Sequence, residues 1–283
     1  MELLFFLRPI LFAIFLWWFT TGVIIAVYGR SLRLVRLCFA AFTGALLVSL
    51  WGLVATRPFS EPRYVYLAFV CGLLIWGWQT ASYYLGYIVG PRPKTNESLP
   101  ISQSRRFWLA LRSGLYHELV VIAFALLLIA LTWSYPNRWG LWIFLAMWLM
   151  HASARLNVFL GVRNFKIEFL PSHLHHLNAY VNKQSTNFFL PVSVIIASSV
   201  SLALVYRAIA PGAAPGETVG YLLVATMMIL GIFEHVLLVL PIPIALWGWG
   251  VRRLPAVEPV EMAVSPRQHK VALPTLPRQV IEG

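Results

Sequence analysis

The sequence predicts an all-α fold: a polytopic membrane helical bundle of about seven transmembrane helices plus one cytoplasmic amphipathic helix. Three observations predict it. Of 283 residues, 59% are hydrophobic and 11% charged, against about 45–50% and about 25% in soluble domains. The apolar residues fall in long blocks of the length a membrane helix needs, about 20 residues. Lys and Arg are divided unequally between alternate loops, the pattern that orients helices in a membrane. So few charges could not cover a water-soluble surface. Disorder, a coiled coil, a secreted disulfide scaffold and a porin-like barrel are disfavoured. A barrel would show short alternating segments.

The blocks follow in order. The first, about 9–28, is a span and not a cleavable leader, because Glu2 and the single Arg8 precede it and no small-residue cleavage site follows. Spans of about 35–55, 64–89, 110–133, 139–159, 187–208 and 219–240 come next. Trp51, Tyr64, Trp133, Tyr135, Trp139, Tyr206 and Trp247 sit near span ends, as interfacial anchors do. Between the fifth and sixth spans, Leu170, Leu174, Leu177 and Val181 recur at helical spacing behind Pro171. That segment, 170–182, reads as an amphipathic helix on the membrane surface or capping the bundle. Residues 1–250 form one bundle domain, and the Pro-rich polar tail 251–283 reads as extended. Cys38 and Cys71 lie inside apolar runs and suggest neither a disulfide nor a zinc site.

Orientation comes from the basic residues. With seven spans, 17 of the 22 Lys and Arg fall on one side, and only Arg8, Arg57, Arg63, Arg138 and Arg207 on the other. An even number of spans would erase this asymmetry. The N-terminus is therefore placed in the periplasm and the C-terminus in the cytoplasm. The net charge of +12 is a topology signal that also meets anionic lipid heads. Without a nucleic-acid motif it does not argue for nucleic acid.

Ionisable residues inside a membrane are costly and are functional candidates by default. His117 and Glu118, His151 with Arg155 one turn on, and Glu234 and His235 all lie about five or six residues inside the cytoplasmic ends of their spans. Glu168 and His173 flank the start of the amphipathic segment at the same surface. Three readings stay open. Glu118, Glu168, His173, Glu234, His235 and His117 could converge on iron or manganese, as carboxylates and imidazoles do in di-iron bundles. His117, His151 or His235 could ligate a tetrapyrrole. Or the same groups form a buried polar network, with Glu118 or Glu234 paired to Arg155. No ExxH or HExxH spacing, phosphate loop or nucleophile elbow is present, and the paired broken helices of many transporters are missing.

Several phrases resemble a known family. Leu11-Phe-Ala-Ile-Phe-Leu-Trp-Trp-Phe19, Tyr116-His-Glu-Leu119, Leu156-Asn-Val-Phe-Leu-Gly-Val162, Glu168-Phe-Leu-Pro-Ser-His173 and Glu234-His235 are similar to the PuhE family, proteins named for photosynthetic complex assembly in purple phototrophic bacteria. The similarity runs from the first span to the seventh. It implies an inner (intracytoplasmic) membrane protein tied to formation of the reaction centre and light-harvesting complex. Photosynthetic complex subunits, bacteriochlorophyll and the bilayer are the implied partners, and no catalytic residues are implied. Two function classes result: a non-enzymatic assembly factor, or a metal-dependent membrane enzyme acting on a tetrapyrrole or other hydrophobic intermediate.

Overall fold

The computed structural model describes residues 2–27, 29–91, 102–164, 171–182 and 184–240. All of them fall within one contact unit. The expectation for the tail, 251–283, lies outside the described residues. Eight α-helices form among the described residues: α1 (Glu2–Val27), α2 (Leu32–Thr56), α3 (Pro62–Tyr84), α4 (Gln103–Ser113), α5 (Leu115–Thr132), α6 (Trp139–Leu160), α7 (Phe189–Ala208) and α8 (Pro215–Leu237). A 3-10 helix, Ser172–Ala179, lies between α6 and α7. All except α4 and the 3-10 helix are long and apolar enough to cross a membrane, which makes seven. No strand occurs among the described residues.

Helix α3 is the hub. It packs against α2, α6 and α8, and it is the most deeply buried span, with 61% of its most apolar window inside the bundle. One face meets α2, α5 and α6 through Leu53, Ile75, Val121, Leu128 and Phe144. The other meets α1 and α8 through Phe69, Leu73, Leu223 and Met227. At Gly72 a side chain would strike the backbone of Gly140, so α3 and α6 approach backbone to backbone. Small residues permit that contact, and close packing is what associates helices in lipid. Leu47, Trp51, Leu126, Leu149, Ile195 and Leu202 remain exposed on the outside, as a lipid-facing surface allows.

Hydrogen bonds tie the helix ends into two layers. At one end Asn137 Nδ2 donates to the carbonyls of Thr56 (3.2 Å) and Tyr64 (3.1 Å). There the Arg57 guanidinium donates to the Leu131 carbonyl at 2.8 Å and lies 4.0 Å over the Tyr135 ring. At the other, the basic end, the His117 amide donates to the Val89 carbonyl (2.9 Å), Asn182 to Phe159 (3.1 Å) and Asn164 to Leu238 (2.9 Å). Asn164 Nδ2 also donates to the carbonyls of Leu237 and Leu240, so Asn164 closes the end of α8.

Two expectations about local structure change. The predicted fourth span, 110–133, is two helices. The chain leaves helical geometry at Gly114 (φ −110°, ψ 9°), where a side chain would meet the Arg155 guanidinium at 2.6 Å. Apolar residues run across the break, so periodicity alone joins its two sides. His117 and Glu118 therefore stand in the first turn of α5, shallower than expected. The amphipathic segment is helical and caps the bundle, but with a period of three. Leu174 and Tyr180, each 1% exposed, and the half-buried Leu177 recur every third residue, and side chains three apart eclipse in a 3-10 helix. The expected α-helical stripe had Val181 in the place that Tyr180 occupies.

Candidate functional site

The site is built where α3, α5 and α6 meet at the basic end. Helix α3 ends in a Schellman motif: the Tyr87 amide donates to the Ser82 carbonyl at 2.9 Å and the Gly86 amide to the Tyr83 carbonyl at 3.1 Å. Gly86 takes the left-handed conformation that this motif needs (φ 82°). The turn carries the chain to Val89, whose carbonyl accepts the His117 amide and so fixes the first turn of α5. The His173 ring packs against Gly86, with Nε2 3.2 Å from the Tyr83 carbonyl. A carbonyl only accepts, so this nitrogen donates. His173 thus serves as a clasp from the 3-10 helix to the end of α3.

Helical spacing does the rest. Trp76, Gln79 and Tyr83 share one face of α3, and Trp148, His151 and Arg155 one face of α6. The Arg155 guanidinium pairs with the Glu118 carboxylate, which also accepts from Trp148 Nε1 at 3.3 Å. Arg155 stands 5.8 Å over the Tyr83 ring. The Tyr83 ring is 4.8 Å from the His117 ring, and the two imidazoles of His117 and His151 are 6.2 Å apart. Trp76 closes the inner side, 5.5 Å from His151. An ion pair, two imidazoles and aromatic walls therefore occupy one seam.

Hydrogen bonding at this seam is incomplete. His117 Nδ1, His151 Nε2 and both amide atoms of Gln79 are buried without a partner among the described residues. Gln79 is 0% and His117 1% exposed. A buried polar atom left unpaired costs about 1–3 kcal/mol, and four such atoms belong to His117, His151 and Gln79. The arrangement can donate and accept hydrogen bonds to a small polar guest or ordered water.

The other candidates lie elsewhere. His235 has both ring nitrogens engaged: Nδ1 is 2.8 Å from the Gly231 carbonyl and Nε2 3.0 Å from Ser153 Oγ. In the neutral ring the first donates and the second accepts, so metal or magnesium ligation by Nε2 would displace the Ser153 hydroxyl. Glu234 is exposed on α8 and bonded to Trp17. Glu168 falls outside the described residues. No three of the described His, Cys, Asp or Glu side chains are grouped to hold a metal ion. For a tetrapyrrole, His117 and His151 retain unpartnered nitrogens, but a macrocycle would reach the buried His117 only if α5 and α3 parted. Of the three polar readings, the geometry shows the Glu118–Arg155 pair directly.

Sequence reasoning passed over the uncharged polar groups. Gln79 belongs to the seam. Asn157 bonds Ser193 Oγ at 3.0 Å across α6 and α7, and Asn187 bonds the carbonyls of Asn157 and Gly161 while capping α7 through the Phe189 and Leu190 amides. Their signal in the sequence is an amide interrupting an apolar block, a weaker mark than a charge because a neutral amide is less costly to bury.

No solved structure matches this chain. An uncharacterised 30.4 kDa protein in the puhA 5′ region of Rhodobacter capsulatus is 31% identical over 266 residues, covering 89% of this chain and 93% of that protein. The family model described as a protein of unknown function, DUF3623, matches residues 3–257. With nearly the whole bundle matched, the chain belongs to the DUF3623 family.

Proposed function

We propose that this protein is a membrane assembly factor for the bacterial photosynthetic reaction centre and light-harvesting complex. The observation that carries the reading is the relative's setting: a protein of nearly the same span, named for the puhA 5′ region. The phrases that resemble the PuhE family lead to the same group of genes. In this reading the protein sits in the bacterial inner (intracytoplasmic) membrane, with the N-terminus periplasmic and the basic end cytoplasmic. It meets nascent subunits or their bacteriochlorophyll inside the bilayer. Exposed aromatic side chains on α1, among them Phe15, Trp18 and Phe19, provide a broad apolar face for such contacts.

The geometry lends less to the metal-enzyme alternative. Glu118 is taken by Arg155, and His235 is taken by Gly231 and Ser153. The two readings separate in a deletion strain of the phototroph that carries this gene. The expected result is loss of assembled reaction-centre and light-harvesting absorbance, with no build-up of a pigment precursor. Accumulation of a precursor would replace this reading by the enzymatic one. Normal complex levels would remove both.

A further inference from the structure

We propose that α4 is a docking site for anionic phospholipid headgroups at the basic end of the bundle. Helix α4 has 11 residues, and an isolated helix of that length is marginal in water. Among the described residues it shares no extensive seam with another α-helix. Phe107 meets Phe159 at 5.5 Å, Arg106 reaches the Ala179 and Val181 carbonyls and Asn182 Oδ1 at 3.3–3.4 Å, and the C-terminal end of α4 at Arg112–Ser113 lies against Gly90. Yet Trp108 is 65% exposed and Leu111 37%, and the two stand on one stripe of α4, with Leu115, the exposed first residue of α5, just beyond the break. At 3.6 residues per turn, Arg106 and Trp108 project to nearly opposite sides. One side therefore holds the protein, and the other presents an indole and a leucine where a membrane helix begins.

The charges select the occupant. Arg105 and Arg112 are two turns apart, share a face beside the apolar stripe and are exposed. No acidic residue lies on α4. A short helix with an apolar stripe and flanking cations lies flat in the headgroup region, its arginines against phosphates. Basic residues at such a surface are held by anionic lipids. The bilayer then adds stabilisation on the side of α4 that Trp108 and Leu111 leave exposed.

The test is amide hydrogen exchange over 103–113 in the full chain, in nanodiscs of phosphatidylcholine alone and of phosphatidylcholine with phosphatidylglycerol. We expect slower exchange in the anionic discs, by about tenfold or more with two arginines at the surface, and a smaller difference at high salt. Arg105→Gln with Arg112→Gln removes the difference, while exchange in α5 and α6 stays unchanged and shows that the variant folds. Equal protection in both discs overturns the proposal, since apolar contact or a protein partner would then hold the helix. Absence of protection in both overturns it as well.

Discussion

Glu118 is a carboxylate held at the edge of the membrane by one cation, and its value to the fold depends on Arg155. The side chains of Arg155 and Glu118 keep 29% and 19% of their surface exposed, so the pair is neither a surface bridge nor a fully buried one. Breaking a buried pair by removing one partner costs about 3–5 kcal/mol, and exposed pairs contribute about 1 kcal/mol or less. We expect Glu118→Ala to lower stability by roughly 2–3 kcal/mol, between those limits. Removing both partners, Glu118→Ala with Arg155→Ala, should cost less than the sum of the single changes, because no uncompensated charge is left. Thermal unfolding in detergent checks this. Equal and additive losses would show that the two groups act separately.

At the scale of elements, the 3-10 helix decides how the basic end is closed. Its period of three places Leu174 and Tyr180 inside and leaves Leu177 half buried. Leu174→Ala empties a fully buried site, and such changes cost about 2–5 kcal/mol. Leu177→Ala should cost roughly half as much or less, in proportion to its burial. An α-helix over the same residues would bury both leucines on one stripe together with Val181, so comparable losses at Leu174 and Leu177 would restore the α-helical register.

For the whole molecule, orientation in the membrane follows from charge. Seven helices are long and apolar enough to cross, and in the proposed orientation the basic loops and the end of α8 face the cytoplasm. We expect a fluorescent-protein fusion at the C-terminus to fluoresce and an alkaline phosphatase fusion there to be inactive. A phosphatase-active C-terminus would invert the topology and with it the side on which α4 meets lipid. The polar seam, α4 and the 3-10 helix all lie at that one end, so a single orientation assigns all of them to the same compartment.

The sequence by itself determined the class, the number of spans and the residues of the seam that carry charge or imidazole. Long apolar blocks and the distribution of arginines are properties of the chain alone, and the bilayer acts on them before any tertiary contact forms. It also pointed to Glu118 or Glu234 as partners of Arg155, but could not choose between them. Only the tertiary structure decided that choice, since it depends on which helix faces α6. It placed Glu118 against Arg155 and left Glu234 exposed on α8. It separated His235 from His117 by giving both its ring nitrogens partners. It also broke the fourth block at Gly114, where Arg155 from α6 fills the space that a side chain would need. Hydrophobic period records what faces lipid or core, but it carries no term for a neighbour that arrives from another helix.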